Sequence, residues 1–255
     1  MDWTKKPMKQ IPKGAQRINR ILSLAGIASR RRADEMISAG RIKVNDRVVR
    51  EPGSKANWGE DSIRVDGKEI PKPSDRTYLI LNKPFGYISS LKDPEGRAIV
   101  TDLLKNVPQR VYPVGRLDFD TLGLLLLTND GDLAHRLTHP RYHVPRTYKA
   151  TVEGMVTKEA LGSLRKGIML EDGFSGRSNA SLVGESGGKS VIRLTVTQGR
   201  NRLVRRMIEA VGYQTVHLIR TGFGTLDLGN LKPGQYRHLE PDELLTLKRS
   251  VRLHA

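Results

Sequence analysis

Residues 115–131 read GRLDFDTLGLLLLTNDG, and the four leucines Leu124–Leu127 constrain the fold more than any other stretch of the chain. An apolar run of that length, with Gly123 before it and the turn pair Asp130-Gly131 after it, must be a buried strand. The longest apolar stretch, Leu122–Leu127, is far short of the ~20 residues that span a bilayer. Around it, strand and helix patterns intermingle. Tyr78–Leu81, Tyr148–Val152 and Val191–Thr197 have strand character, whereas Asp130–Thr138, Lys158–Lys166 and Arg202–Val211 have helical spacing. No regular βαβ spacing and no glycine-rich nucleotide loop accompany them. The pattern predicts an α+β domain built on a mixed, mostly antiparallel sheet.

A smaller unit precedes it. Ile18, Ile21, Leu22 and Leu24-Ala25 follow helical spacing up to Gly26, and Ser29 is placed to cap a second helix running to Ala39 before Gly40. Ile42-Lys43-Val44, the turn Asn45-Asp46 and Val48-Val49 form a hairpin signature, and a further strand, Ile63–Val65, ends at Asp66-Gly67. The polar joint Pro71-Lys72-Pro73-Ser74-Asp75 marks a boundary. The expected organisation is a basic arm over 1–15, a small αα/β domain over 16–72 and the larger domain over 73–255. At about 55 residues, the small domain is near the lower limit for independent folding.

Charge narrows the partners. Lys and Arg outnumber Asp and Glu by 44 to 27, a net charge of +17. Thirteen of the basic residues and only four of the acidic ones fall in the first fifty positions. Such a surface favours a polyanion, and nucleic acid fits better than a membrane, since no amphipathic helix has apolar residues to spare from the core. Arg30, Arg31 and Arg32 open a helix, where positive charge opposes the macrodipole but first-turn amides suit a phosphate. Arg41, Lys43 and Arg47 follow in the hairpin and extend the same basic patch. There are no cysteines, which excludes disulfides, thiolate nucleophiles, cysteine zinc sites and iron–sulfur clusters. No apolar segment follows Met1-Asp2-Trp3, so a secretory signal is not expected and the cytoplasm is the expected location.

Asp118 stands just before the buried strand with glycines on both sides, where a rigid backbone lets a substrate approach closely. Burial alone would neutralise such a carboxylate, and a neighbouring arginine would hold it anionic. On spacing alone, an aspartate serving its own turn is the competing reading. Asp118, Asp120, Asp130 and Asp132 are a weaker candidate for a magnesium cluster, because Asp130-Gly131 is also an ordinary turn. His135, His139 and His143 are spaced by four, but Pro140 breaks any helix that would align them on zinc.

Two resemblances add to this reading. Ser29–Val49, SRRRADEMISAGRIKVNDRVV, resembles the RNA-binding module named after small-subunit ribosomal protein S4, over roughly residues 16–70. GRLDFDTLGLLLLTNDG is similar to the catalytic signature of pseudouridine synthases, specifically the RsuA/RluB type that acts on ribosomal RNA. Leu81–Gly86, Asp93–Arg97, Leu137–Tyr148 and GRNRLVRRMIEAVG at 199–212 resemble that branch in the expected order, and 93–97 and 137–148 look closest to the RluB subgroup.

The resemblance implies isomerisation of uridine to pseudouridine in ribosomal RNA, with large-subunit RNA or the assembling particle as partner. It needs no metal and no cofactor. It gives Asp118 the catalytic role at the sugar, pairs Arg205 with it, and packs Tyr148 against the uracil. Arg116 is placed to fill the space a displaced base leaves. Arg202 and Arg206, at i and i+4, are read as phosphate grips. Lys83 is read either the same way or as part of the turn before Pro84. Members of this branch usually carry glutamine where this chain has Leu203, which removes one side-chain amide near the site. A monomer is expected, since no coiled-coil heptad or apolar patch argues otherwise. The competing function is a non-catalytic S4-type RNA-binding or ribosome-associated protein.

Overall fold

The structure is a computed structural model, and it describes residues 14–71 and 75–253. Most of the expected basic arm, and positions 72–74 of the expected joint, lie outside the described residues. The chain divides into two compact units. One runs to Arg76 and takes in Pro108–Arg110; the other holds 77–107 and everything from Val111 onward.

In the smaller unit, helix α1 (Ile18–Leu24) and helix α2 (Arg30–Ser38) pack through Ile18, Ile21 and Leu22 against Ala33, Met36 and Ile37. Gly26 turns the chain out of α1 at φ +78°, and the Ser29 hydroxyl caps α2 by accepting from the Arg32 N–H at 3.2 Å. Asn19 donates to both carboxylate oxygens of Asp34, at 2.9 and 3.0 Å, tying the helices together. Strands β1 (Ile42–Val44), β2 (Arg47–Val49), β3 (Ile63–Val65) and β4 (Lys68–Glu69) form a sheet in the order β2-β1-β3-β4. Both residues of the Asn45-Asp46 turn have positive φ, as do Asp66 and Gly67. That is the backbone twist a two-residue hairpin requires. Ile42, Ile63 and Trp58 close the core; each such side chain contributes about 1.5–3 kcal/mol on burial.

The larger unit is a nine-stranded sheet with helices. Its main strands are β5 (Tyr78–Lys83), β6 (Leu122–Thr128), β7 (Arg146–Glu153), β8 (Asn179–Ser186), β9 (Lys189–Val196), β10 (Thr215–Phe223) and β11 (Tyr236–His238). They run in the order β8-β9-β7-β10-β6-β5-β11, and the short strands Tyr112–Pro113 and Leu226–Asp227 pair with β6 and β10. Only the β6–β10 pairing between these strands is parallel. The helices are α3 (Gly131–Thr138), α4 (Lys158–Lys166), α5 (Leu203–Ala210) and α6 (Pro241–Ser250).

The leucine run of β6 divides between two cores because side chains alternate along a strand. Leu124 and Leu126 pack with Leu133 and Leu137 of α3, Phe223 and Leu247 of α6. Leu125 and Leu127 pack with Leu79, Leu81, Val111 and Leu117. A third core joins β7, β9 and β10 to α4 and α5 through Val152, Leu164, Leu194, Met207 and Leu218.

One row of paired residues crosses five strands: Lys83 opposite Gly123, Gly123 opposite Arg220, Arg220 opposite Tyr148, and Tyr148 opposite Leu194. Gly123 is obligatory in that row. Its φ is +105°, and a β-carbon there would lie 2.2 Å from the Arg220 carbonyl oxygen and 2.7 Å from its nitrogen. Gly123→Ala is therefore expected to destabilise the larger unit by at least ~2 kcal/mol, lowering its melting temperature by roughly 4–8 °C. Calorimetry checks this; an unchanged melting temperature would contradict the close approach.

Candidate active site

The site is built where β5 ends and β6 begins. Asp118 to Thr121 form a tight turn, closed by the Thr121 N–H donating to the Asp118 carbonyl at 3.1 Å. The residue before Asp118 is tethered twice: the Leu117 N–H donates to Ser89 Oγ at 3.1 Å, and the Ser89 hydroxyl donates back to the Leu117 carbonyl at 3.0 Å. The Gly86 N–H donates to the Phe119 carbonyl at 3.1 Å. Asp118 is thereby held on a fixed backbone, with its side chain half-buried.

Lys83 is the centrepiece of this arrangement. Its side chain has no solvent exposure, and its ammonium donates to the carbonyls of Thr121 at 2.9 Å, Pro84 at 3.1 Å and Phe119 at 3.4 Å. Burial pushes its pKa down to about 8, and the carboxylates of Asp120 and then Asp118 pull against that shift. Of the two readings of Lys83, the phosphate contact is corrected, since the ammonium is enclosed by backbone carbonyls, and the turn before Pro84 is the one that the bond to the Pro84 carbonyl favours. The ammonium ties the two aspartates' turn to the end of β5.

Arg205 also differs from expectation. From α5 it donates to the Asp120 carbonyl at 3.0 Å and makes an ion pair with the Asp120 carboxylate at 3.2 Å. Asp118 acts on it only through space. The expected direct Asp118–Arg205 pair is thus replaced by an Asp120–Arg205 pair two residues further along the turn. Arg202 reaches the same Asp120 carboxylate at 3.2 Å, and Arg206 forks onto Asp172 at 2.8 and 3.0 Å. Both expected phosphate grips already hold a carboxylate.

Tyr148 lies in β7, packed against the cluster that contains Leu117. It faces Arg220, which is 2% exposed, donates through Nε to the Leu124 carbonyl at 2.8 Å and stacks on Phe223 with 4.9 Å to the ring centroid. Burial depresses the Arg220 guanidinium, and the nearby Tyr148 helps hold it charged. Three buried polar atoms of this region have no hydrogen-bond partner: Thr121 Oγ1, Arg205 Nε and Arg220 Nη2. Leu203 begins α5 and is 4% exposed within the apolar core, so its side chain serves packing. Arg116 is exposed beside the turn.

In the smaller unit Arg30, Arg31, Arg32, Arg41, Lys43 and Arg47 are all exposed. Arg32 pairs with Glu35, and Arg41 forks onto Asp66. Asp130 caps α3 by accepting from the Leu133 N–H at 3.2 Å and accepts from the Tyr78 hydroxyl at 2.8 Å. That carboxylate is committed to the fold. The rings of His135 and His139 lie 5.2 Å apart and tilted by 53°, but α3 ends at Thr138, so His139 lies outside the helix. Ser89 is the positioning residue that sequence reasoning missed, while Lys83 and Asp120 are read there in other roles.

Residues 77–210 match the RNA pseudouridylate synthase family model, and residues 16–63 match the S4 domain model. The ribosomal large subunit pseudouridine synthase B of Bacillus subtilis is 46% identical, covering 91% of this chain and 96% of that one. An uncharacterised RNA pseudouridine synthase of Aquifex aeolicus is also 46% identical, covering 93% and 95%. A crystal structure of a pseudouridylate synthase superposes with a TM-score of 0.66 at 28% identity, covering 91% and 99%. The chain belongs to the RNA pseudouridine synthase family and carries an S4 domain in front of the synthase fold.

Buried Lys83 makes a specific pH dependence. Its native proton affinity is depressed, so between about pH 8 and the ordinary lysine value of 10.5 the unfolded chain binds more protons than the folded one. Stability linked to Lys83 rises across that window and is lost as pH falls through 8. Relative to Lys83→Met, the wild type is expected to gain on the order of 1–3 kcal/mol between about pH 7.5 and about pH 10, measured by urea unfolding. A pH-independent difference would place the ammonium in solvent.

Proposed function

We propose that this protein isomerises a uridine of large-subunit ribosomal RNA to pseudouridine, with Asp118 as the catalytic carboxylate. The N1–C1′ bond of the nucleoside breaks, the uracil turns, C5 bonds to C1′, and the C5 proton is released while N1 takes one up. The carboxylate acts at the sugar in a partly desolvated turn, where its charge is felt more strongly than in water. The observation that carries this reading is the placement of Asp118: half-buried, on a backbone clamped by Ser89 and Lys83, with two cations close by.

The other roles follow from position. Tyr148, in the row that crosses the sheet beside Arg220, packs against the uracil. Arg205 secures Asp120 and adds positive charge near Asp118. Arg116, exposed at the turn, occupies the gap the target base leaves in its helix, which costs a few kcal/mol to open. Arg202 and Arg206 meet phosphate by exchanging their carboxylate partners for it. The exposed Arg30, Arg31, Arg32, Arg41 and Lys43 of the S4 domain supply non-sequence-specific grip on the RNA backbone. The large-subunit assignment rests on the Bacillus subtilis relative. No helix among the described residues is long and apolar enough to cross a membrane. The proposed substrate is ribosomal RNA, free or in the assembling particle, and the proposed location is the cytoplasm because the Bacillus subtilis relative is named for the large ribosomal subunit.

Asp118→Asn separates catalysis from binding. Turnover of large-subunit ribosomal RNA, read as tritium released from C5-labelled uridine, is expected to fall by at least roughly 10³-fold. The dissociation constant for the same RNA is expected to stay within about threefold, since the exposed cations that supply backbone affinity are untouched. Retained turnover in this variant would exclude the assigned role; absent turnover in the wild type on every large-subunit RNA would favour a binding protein.

A further inference from the structure

The chain has four phenylalanines. Phe223 is buried, but Phe85 is 61% exposed and Phe119 is 47% exposed, and these two rings meet edge to face with centroids 5.5 Å apart. Neither belongs to a core cluster. Both stand at the candidate active site: Phe119 directly follows Asp118, and Phe85 follows the Lys83-Pro84 end of β5.

The rings are mounted on stiff backbone. Pro84 fixes φ before Phe85, and Gly86 after it has φ +83°, with its missing β-carbon position 3.9 Å from the Phe119 ring. The Gly86 N–H holds the Phe119 carbonyl, and the Lys83 ammonium bridges the carbonyls of Pro84 and Phe119. The same buried cation thus holds both ring-bearing segments and the turn of Asp118. An apolar pair kept for folding would be covered; this one is held rigidly in the open, beside the exposed Arg116 and in a strongly cationic chain. Flat apolar faces next to positive charge fit the bases of a nucleic acid strand.

We infer that Phe85 and Phe119 form a stacking site for a nucleobase adjacent to the target uridine. The inference rests on the synthase reading and extends it. When the uridine leaves its stack, its neighbour loses one face of contact, and an aromatic ring on the enzyme supplies a replacement. Arg116 and the ring pair then flank Asp118 with two kinds of surface: a guanidinium for the vacated gap, and rings for the exposed base face.

The test uses the full chain with an unmodified large-subunit ribosomal RNA transcript and short-wavelength ultraviolet light, which lets a stacked base of any identity crosslink. Irradiation is expected to crosslink the RNA to Phe85 or Phe119, located by peptide mass spectrometry. In Phe85→Leu/Phe119→Leu, which keeps apolar bulk but has no ring, those crosslinks disappear and kcat/KM on unmodified RNA falls roughly tenfold. Phe85→Tyr/Phe119→Tyr restores most of both, and the melting temperature is unchanged throughout because the rings are exposed. Wild-type crosslinks confined to other positions, or a Leu variant with full turnover, would overturn the inference. So would a large loss of thermal stability in the Leu variant, which would make the pair structural. A wild-type chain that crosslinks through the rings yet forms no pseudouridine would count against the synthase reading and in favour of the stacking site.

Discussion

The passage of Gly123 across the Arg220 backbone sets the level of everything that forms the site. With a β-carbon 2.2 Å from a carbonyl oxygen excluded, β6 and β10 approach only at a glycine, and the parallel pairing of those strands is anchored there. Lys83 is paired to Gly123 on one side, and Tyr148 to Arg220 on the other. The end of β5, the start of β6 and the middle of β7 therefore arrive at one height in the sheet. Asp118 lies a few residues before Gly123, so its distance from Tyr148 and Lys83 is governed by strand register. A site made this way inherits the rigidity of the sheet.

Electrostatics then divide the cations into two groups. Lys83, Arg205 and Arg220 are drawn into the protein and matched to carbonyls, with Arg205 also paired to Asp120, where low polarity strengthens each contact and makes an unpartnered charge costly. Arg116 and the basic residues of the S4 domain remain in solvent, where they are worth little to the fold and much to a polyanion. On the proposed function, the net charge of +17 serves to hold the RNA backbone. Asp120 explains why the turn holds two aspartates: it takes the arginines, leaving the Asp118 side chain without a direct ion pair among the described residues.

Much of this is legible in the residues. The leucine run, the Ser29 cap, the Asn45-Asp46 and Asp66-Gly67 turns and helices α3, α4 and α5 follow from local pattern, because each is determined by neighbours in sequence. β10 escapes such reading. Thr215, His217, Arg220 and Thr221 make it look polar, yet it runs between β6 and β7, with Arg220 buried and stacked on Phe223. β8 escapes for the opposite reason: it is an edge strand with Leu182 and Val183 exposed and a register shift before Gly184, so no clean alternation appears. The burial of Lys83 has no local signature either. A lysine before a proline reads as surface, and only the long-range return of residues 119–121 supplies the carbonyls that hold it. The choice of Asp120 over Asp118 by Arg205 likewise depends on where α5 docks, which spacing within either segment does not encode.

If Asp118 rearranges a ribosomal uridine, a pseudouridine map of ribosomal RNA from cells with the gene, without it, and with only the Asp118→Asn form will show it. One large-subunit position is expected to lose pseudouridine when the gene is absent and to stay unmodified in the Asp118→Asn cells. An identical map in all three strains, or full modification by Asp118→Asn, would contradict that role of Asp118.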